Sequence, residues 1–423
     1  MTLHASATRL KHPRPFRAPV VTPRLPQFAS IRPLCYNPIS PSKTTLTATQ
    51  NPPAGFSFLV RNTGTQEEYF RGPFDLLQTA IADQAFPGCA LAITVRGELI
   101  ARHGFGHFTY DAASPAVTAA SIFDLASVTK AIATTPMAMI LYERGLLDLE
   151  APVTAIVPEF TGDDPRRRDV TLRMLLSHSS GLPAYEKLFL RAKTREDLLA
   201  AAFAVALAHD PGTHAEYSDV GFIILGVALE RLADEALPGF CQREIFGPLA
   251  MSHTTFNPPA AWRDRIVPTV DDRTFRKRII QGEVHDENAS VLEGNAPHAG
   301  LFSTAEDVAL FAHSMLSGGR PILRPETIEL FTRRQPSPEN TSRALGWDTP
   351  SAPSQSGRYF GPHSYGHLGY TGTSLWIDPD RQLSITLLTN RTWPDCQNQA
   401  IKKVRPAFHD AVIESLKPRG LTP

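Results

Sequence analysis

The alternation of apolar and polar positions becomes regular from about residue 87 and predicts strands near both ends of the chain body. Residues 89–95 and 98–103 flank an Arg-Gly turn, which is typical of a β-hairpin. Residues 374–378 and 383–389 flank a Pro-Asp turn in the same way. Two antiparallel strand pairs are therefore expected, one from each end of the body.

Between these strand pairs, apolar residues recur with the spacing of amphipathic helices. The predicted helices cover residues 127–144, 171–177, 195–208, 220–233, 304–316 and 399–416. Gly145 ends the first helix, and Pro136 inside it predicts a kink or a break. The order of elements favours one antiparallel sheet assembled from both chain ends, with a helical insert and no internal repeat.

Residues 1–66 differ in composition from this pattern. They contain eight Lys and Arg and no Asp or Glu, and ten of the 37 prolines lie between Pro13 and Pro53. Proline at this density opposes both helix and sheet, so we predict a basic, disordered tail over 1–66 and one folded domain over 67–423. The tail lacks the apolar core of a secretory signal, and its prolines interrupt any transit-peptide helix.

The composition of the 423 residues, with 42% hydrophobic and 20% charged, is typical of a soluble globular protein. The 42 basic and 42 acidic residues cancel, but the chain after residue 66 has 34 against 42, a net charge of −8. This acidic body predicts no nucleic-acid partner. The sequence contains no run of 18 apolar residues, so we predict no transmembrane segment. A small-molecule or peptide substrate is the expected partner, and the oligomeric state is left open.

Neither the cysteines nor the acidic segments predict a metal or a cofactor. The four cysteines are too scattered for a zinc knuckle or a redox pair, so buried single thiols are expected and a disulfide is left open. The segment 284–288 contains His285, Asp286 and Glu287, but adjacent ligands rarely converge on one ion. We predict a structured loop there. The motifs of α/β-hydrolases, zinc peptidases and P-loop proteins are missing.

The first candidate for chemistry is the pair Ser127 and Lys130. Positions i and i+3 of a helix share a face, so the hydroxyl and the amine can meet, and the helix N-terminus favours an oxyanion. Burial or nearby cations must lower the lysine pKa from about 10.4 before the amine can accept a proton. The spacing alone is not specific, because Ser40 and Lys43 repeat it in the tail.

Two further segments present groups that can act in a cleft. Tyr217 and Asp219 precede an apolar helix, where a phenol can relay a proton. The segment 366–374, with His367, Gly369 and Tyr370, leads into a strand. Its glycines allow close approach of a substrate and offer backbone N–H groups to an oxyanion.

In this order, the three segments resemble the serine β-lactamase-like superfamily of class C β-lactamases, D-Ala-D-Ala carboxypeptidases and related esterases. The family order is S-x-x-K, then Y-x-N, then a K/H-x-G strand. The connecting segments 175–183, 298–305 and 370–379 are also similar to the family, and the resemblance covers about 87–390. It implies an α/β (α+β) transpeptidase-like fold: a central antiparallel sheet with flanking helices, and a mostly helical lobe.

The resemblance also implies roles for single residues. Ser127 would be the nucleophile, Lys130 its partner and Tyr217 the proton relay to the leaving group. The backbone N–H groups of Ser127 and Tyr370 would form the oxyanion hole, and His367 would line the substrate carboxylate pocket. Catalysis would then be acyl transfer through a serine ester, followed by attack of water.

Two residues depart from the family pattern. Asp219 stands where the tyrosine motif has Asn; if it lies beside Lys130, its charge would keep the lysine protonated and make Tyr217 the base. His367 stands where class C β-lactamases have Lys, and a mostly neutral histidine grips a carboxylate less firmly. His in this position is familiar among carboxypeptidases and esterases. The departures favour D-alanyl peptides or small esters over efficient β-lactam hydrolysis.

The favoured function is therefore a serine hydrolase of amide or ester bonds, plausibly a D-alanyl-D-alanine carboxypeptidase. The alternatives are a carboxylesterase, a β-lactamase, and a penicillin- or peptidoglycan-binding protein that acylates without turnover. The family usually works outside the cytoplasm, which suggests a periplasmic or extracytoplasmic location, although no signal peptide is recognisable in this sequence.

Overall fold

The computed structural model describes residues 56–60 and 63–417. Within this part of the chain, the strands are β1 Leu59–Val60, β2 Gly88–Val95, β3 Glu98–Gly106, β4 Phe123–Asp124, β5 Thr255–Phe256, β6 Val270–Asp272, β7 Arg278–Ile280, β8 Leu301–Ser303, β9 Tyr365–Leu368, β10 Ser374–Asp378 and β11 Leu383–Thr389. The α-helices are α1 Gln66–Tyr69, α2 Arg71–Ala82, α3 Thr135–Glu143, α4 Val153–Ile156, α5 Leu172–Leu176, α6 Arg195–Phe203, α7 Asp219–Ala233, α8 Leu237–Cys241, α9 Glu287–Val291, α10 Ala305–Leu316, α11 Pro325–Thr332 and α12 Ile401–Leu416.

A six-stranded sheet combines strands from both ends of the body, in the order β1-β3-β2-β11-β10-β9. The predicted hairpin β2–β3 and the predicted pair β10–β11 are both present, and β11 joins them by pairing antiparallel with β2. The sheet differs from the prediction at one edge, because β1 pairs with β3 in the parallel direction. Residues of β9 form the opposite edge, beside β10.

Strands β2 and β11 are buried along their whole length, which explains why β2 is almost continuously apolar and why even the polar Ser384 and Thr386 of β11 are buried. Side chains of α2 and α12 pack on one face, where Phe74 and Phe408 belong to the same cluster as Leu91 and Ile385. Helix α10 packs on the other face. The sheet therefore lies between two helical layers, as the fold expectation required.

A second part of the core lies in the helical insert between β3 and β9. Its centre is α7, in which every residue from Val220 to Leu229 is buried. Ser218 caps this helix by accepting a hydrogen bond of 3.0 Å from the Gly221 N–H. The cap fixes the start of α7, and with it the positions of the residues just before the helix.

The first helix of the insert does not have uniform geometry. Residues Lys130–Thr134 are π-helical, and the α-helical segment α3 begins at Thr135. Pro136 is the second residue of α3 and has no N–H to donate, so the helix continues through the proline but changes its geometry in the turn before it rather than breaking. Other predicted helices are present with shorter ends, such as α6, which ends at Phe203 rather than at residue 208.

The predicted tail boundary at residue 67 is too late. Phe58 is buried in the core and its ring lies 6.1 Å from that of His313 on α10, while Val60 pairs with Leu99. The ordered chain therefore includes residues 56–60, because their aromatic side chains cover an apolar surface. Residues 1–55, 61 and 62 of the predicted tail lie outside the described residues.

No described helix combines the length and the apolar character that a membrane span needs. Of the cysteines, Cys89, Cys241 and Cys396 are free thiols, and Cys35 lies outside the described residues. The first two are buried, as predicted for single thiols.

Candidate active site

A tight turn presents Ser127 at the start of the first helix of the insert. Ala126 has a φ of 46°, in the left-handed region that a residue with a side chain adopts at a cost. The buried Asp124 carboxylate compensates by accepting a hydrogen bond of 2.8 Å from the Ala126 N–H. The turn leaves Ser127 only partly buried, whereas its neighbours on both sides are buried.

Lys130 lies one turn after Ser127 and is completely buried. Its Nζ lies 3.1 Å from Ser127 Oγ, as the i, i+3 spacing predicts. It also lies 2.6 Å from Asp219 Oδ1 and 2.8 Å from the carbonyl oxygen of His298. The pKa of Lys130 is lowered, because burial of the ammonium outweighs the opposing effect of the Asp219 carboxylate.

Tyr217 completes the contact around the serine hydroxyl. It lies on the loop two residues before α7, and its phenol donates a hydrogen bond of 2.8 Å to Ser127 Oγ. The ring packs against His178, 4.6 Å away, and beneath the guanidinium of Arg343, 5.3 Å away. Burial, helped by the Asp219 charge, raises the pKa of Tyr217 well above its usual value.

The expected contact between Asp219 and Lys130 is therefore confirmed, and the Asp219 charge raises the lysine pKa as expected, but burial has the larger effect. The lysine pKa falls rather than rises, because desolvation of a fully buried ammonium is the larger effect. Tyr217 would need to be a phenolate to act as the base, and its raised pKa opposes that form. The geometry makes Tyr217 a proton donor towards Ser127.

His367 lies on the edge strand β9, facing Tyr217 across a ring distance of 6.1 Å. It is 2% exposed, and burial lowers its pKa to about 4. Its Nδ1 lies 2.9 Å from the carbonyl oxygen of Leu368. The imidazole is therefore neutral near pH 7, which agrees with the weaker grip on a carboxylate expected from the sequence.

The turn after β9 brings Gly369 and Tyr370 to the same cleft. A Cβ at Gly369 would lie 1.9 Å from Thr373 Oγ1 and 2.5 Å from the carbonyl oxygen of Leu125, so only glycine fits. Thr373 Oγ1 in turn donates to that Leu125 oxygen over 2.8 Å, which ties this turn to the turn before Ser127. The Tyr370 ring is 53% exposed, and the Arg391 guanidinium lies 4.3 Å from its centre.

Ser127, Tyr217, His367, Gly369 and Tyr370 line one cleft of about 700 Å³, the volume of a small-molecule or short-peptide site, whereas Lys130 is fully buried and reaches it through its contact with Ser127. The cleft is bordered by the edge of the sheet at His367 and by the insert at Ser127 and Tyr217. Within the described residues, the backbone N–H groups of Ser127 and Tyr370 donate to no other protein group. Both are therefore available to an oxyanion.

The segment 284–288 forms a structured loop, as predicted. The His285 N–H donates to Asp124 Oδ2 over 2.6 Å, and Asp286 caps α9 through the Ala289 N–H. The Asn288 side chain donates to the Glu186 carbonyl over 2.8 Å. Among the residues that the structure describes, no three His, Cys, Asp or Glu side chains are placed to hold a metal ion.

Sequence reasoning missed several residues that support the site. His178 lies under Tyr217, Arg343 lies over it, and His298 accepts from Lys130. His178 and His298 occur in two segments that already resembled the family, 175–183 and 298–305, so the signal was present. Arg343 lies outside those segments, and no pattern in the sequence distinguishes it from other arginines.

Comparison with known proteins agrees with this architecture of sheet, helical insert and intervening cleft. The Beta-lactamase family model matches residues 74–404. The chain therefore belongs to the β-lactamase family.

The similar proteins differ in the activities that their names give. An N-acetylmuramyl-L-alanine amidase of Bacillus subtilis (strain 168) is 33% identical over 344 residues, which are 72% of this chain and 77% of the relative. A putative D-alanyl-D-alanine carboxypeptidase of Escherichia coli (strain K12) is 29% identical over 349 residues, 73% of this chain and 79% of the relative. EstCE1, a hydrolase with promiscuous acyltransferase activity, has a similar structure, with a TM-score of 0.68 and 22% identity, over 82% of this chain and all (100%) of EstCE1.

Proposed function

We propose that this protein is a serine hydrolase that cleaves amide bonds of D-alanyl peptides through a covalent acyl-enzyme. The observation that supports the proposal most is the double contact of Ser127 Oγ, with Lys130 Nζ at 3.1 Å and with the Tyr217 phenol at 2.8 Å. One neighbour can take the hydroxyl proton and the other can supply a proton to a leaving group. A nucleophile placed between two such groups is suited to acyl transfer.

Lys130 is the proposed base. Its neutral amine takes the proton of the Ser127 hydroxyl as Oγ bonds to the substrate carbonyl carbon and the carbonyl electron pair moves to oxygen. Burial of Lys130 lowers its pKa and so makes the neutral amine accessible. The free N–H groups of Ser127 and Tyr370 would bind the resulting oxyanion.

Tyr217 is the proposed acid. Its phenol is protonated and close to Ser127 Oγ, so it is placed to protonate the leaving nitrogen as the carbon–nitrogen bond breaks. In the second half of the reaction the Tyr217 phenolate takes a proton from the attacking water, whose oxygen bonds to the carbonyl carbon of the serine ester. The ester bond to Ser127 Oγ then breaks, the Lys130 ammonium returns its proton to Oγ, and the acid product leaves with all three groups in their starting states. Asp219 is assigned to holding Lys130, which it contacts at 2.6 Å, rather than to the substrate.

The D-alanyl substrate is favoured by two observations together. The carboxypeptidase-named relatives match this chain over 73% of its length. Arg343 and Tyr370, at the border of the cleft, offer a cation and an aromatic face to a peptide.

A second candidate is an amidase that releases L-alanine peptides from N-acetylmuramyl groups. It is favoured by the 33% identity to the amidase-named relative, which exceeds the 29% to 31% of the carboxypeptidase-named ones. Both reactions use the same acyl-enzyme chemistry and differ in the bond that enters the cleft. The amidase leaves a peptide with a free L-alanine amino group, whereas the carboxypeptidase releases free D-alanine.

One assay separates these functions from an esterase and from a non-turnover binder. Purified protein is incubated with a muramyl pentapeptide that ends in D-Ala-D-Ala, and in parallel with a short-chain p-nitrophenyl ester, and products are identified by mass spectrometry. Release of D-alanine supports the carboxypeptidase. Release of the intact peptide supports the amidase, hydrolysis of the ester alone supports an esterase, and a stable adduct without product supports a binder.

A further inference from the structure

The environment of Lys130 contains one acceptor that the proposed mechanism does not explain. A neutral lysine amine has two N–H groups and one lone pair, and Lys130 Nζ has three oxygen neighbours within 3.1 Å. Two belong to the side chains of Ser127 and Asp219. The third is the backbone carbonyl of His298, from a distant loop of the chain, at 2.8 Å.

Two side chains hold this carbonyl in place. His298 Nε2 lies 2.9 Å from Asp286 Oδ1, and since a carboxylate only accepts, the imidazole donates there. On the other side, Thr134 donates to the Pro297 carbonyl over 2.6 Å, from the helix that carries Lys130. The loop is therefore held to the helix of Lys130 at Pro297 and to the segment 284–288 at His298.

Asp286 is the only ring partner of His298 among the residues that the structure describes. His298 Nδ1 is buried and has no hydrogen-bond partner, so the contact from Nε2 alone fixes the orientation of the imidazole. Asp286 is itself fixed, because it also accepts from the Ala289 N–H over 2.7 Å. Although burial opposes its ionisation, the contact with His298 and the hydrogen bond from the Ala289 N–H hold the pKa of Asp286 at about 2.

We propose that Asp286 and His298 form a positioning pair that aims the His298 carbonyl at Lys130 and adds a fixed negative charge to its surroundings. The inference rests on the proposed role of Lys130 as the base. Neither residue is assigned to the substrate, and both act through the lysine. The segment 284–288, which resembled a metal site in the sequence, thus supports the acid–base machinery.

The pair has a geometric and an electrostatic effect. The carbonyl fixes the direction of the Lys130 N–H groups, so its displacement should slow proton transfer from Ser127. The Asp286 charge raises the lysine pKa and so opposes the larger effect of burial. The other charged or titratable groups near Lys130 are Asp219, Arg343, Tyr217, His178 and His367. Both imidazoles are neutral near pH 7, because burial lowers their pKa.

Two substitutions separate these effects. Asp286→Asn keeps an oxygen that can accept from both His298 and Ala289 but removes the charge, whereas Asp286→Ala removes both. With a p-nitrophenyl ester, we expect Asp286→Ala to lower kcat by about 10- to 100-fold with KM changed less than about 3-fold. Asp286→Asn should keep most of kcat at the pH optimum. It should move the acid limb of the kcat/KM profile to lower pH, because the negative charge that raises the Lys130 pKa is lost.

Asp307→Asn is the matched control. Like Asp286, Asp307 is a carboxylate that accepts from a backbone N–H, that of His253 at 2.7 Å, but it is buried on α10 and does not line the cleft. A merely structural role of Asp286 would make its Asn variant resemble this control, with a lower melting temperature and an unmoved acid limb. That result would overturn the proposal. If Asp286→Ala does not fold, the comparison of the two Asn variants still decides it.

The experiment distinguishes failure of the positioning role from failure of the proposed function. If the wild-type protein forms no acyl-enzyme, the base role of Lys130 and the positioning role both fail. If it forms the acyl-enzyme and Asp286→Asn leaves the acid limb where it is, only the positioning pair is wrong.

Discussion

The Tyr217 phenol donates a hydrogen bond of 2.8 Å to Ser127 Oγ, across 90 positions of the chain. The cap of α7 and the turn before Ser127 hold the two residues from opposite sides of the insert. Burial raises the phenol pKa, so Tyr217 keeps its proton and can donate it towards Ser127 Oγ. A protonated phenol at this position can act as an acid but not as a base.

Removal of the Tyr217 hydroxyl tests that assignment. Tyr217→Phe keeps the ring between His178 and Arg343, so the fold should be unchanged. We expect kcat/KM for a peptide amide to fall about 100-fold or more, because its nitrogen must be protonated to leave. The loss for a p-nitrophenyl ester should be about 10-fold or less, since nitrophenolate leaves without a proton. Equal losses on both substrates would show that the phenol is not the acid.

The acid limb of the pH–rate profile should depend on Asp219. The neutral amine of Lys130 is the reactive form, so activity falls as pH drops through the lysine pKa. Asp219 raises that pKa against the larger effect of burial, and Asp219→Asn removes the opposition. The acid limb of kcat/KM, measured with a p-nitrophenyl ester, should therefore move to lower pH. A limb that stays in place would contradict the role of Lys130 as base.

Substitution of Gly369 should damage the site through its backbone. In Gly369→Ala the new methyl group would overlap Thr373 Oγ1 and the Leu125 carbonyl, so the turn that carries the Tyr370 N–H must move. A displacement of this kind costs about 100-fold in kcat/KM. Gly72→Ala in α2 is the control, because nothing lies within 4 Å of its new Cβ. Similar activity of the two variants would argue against an oxyanion role for this turn.

Four buried histidines should make the fold sensitive to acid. Burial lowers the pKa of His285 and His367 to about 4, that of His409 to about 3, and that of His178 well below its usual value. A depressed folded-state pKa means that stability is present above the unfolded value near 6.5 and is lost as pH falls below it. Each of the first three should cost about 2 kcal/mol between pH 7 and pH 5.

Urea unfolding at these two pH values measures the effect. The free energy of unfolding should be lower at pH 5, and His409→Gln should reduce the difference between the two values. His363→Gln, at an exposed surface position, is the control and should leave the difference unchanged. An equal free energy of unfolding at pH 7 and pH 5 would contradict the account of buried neutral imidazoles.

The sheet was predictable because its strands have strong local patterns. The apolar run of β2 and the alternating pattern of β11 are bounded by turn residues, and the pairing of these two strands follows from the need to bury both faces. The parallel pairing of β1 was not predictable, because Leu59–Val60 is too short for a pattern and lies in a proline-rich composition. Its place depends on the packing of Phe58 near α10, a contact between distant parts of the chain.

The site was predictable where chemistry restricts residue type to a fixed local spacing. Ser127 and Lys130 are such a pair, and so are Gly369 and Tyr370. The protonation states of Lys130 and Tyr217 were not predictable. The sequence pointed to a contact between Asp219 and Lys130, but it gave no sign that the lysine is fully buried. The pairing of Asp286 with His298 was not predictable either, because their contact joins two loops that share no sequence pattern.

The central claim is that Ser127 becomes acylated, and intact-protein mass spectrometry tests it directly. The full-length protein is incubated with a fluorescent penicillin or an activated ester, and the adduct is mapped by peptide digestion. We expect one adduct on Ser127, none in Ser127→Ala, and an unchanged adduct in Ser40→Ala, which removes the serine of the other S-x-x-K sequence. An adduct that persists in Ser127→Ala, or peptide and ester turnover that survives in that variant, would contradict the account.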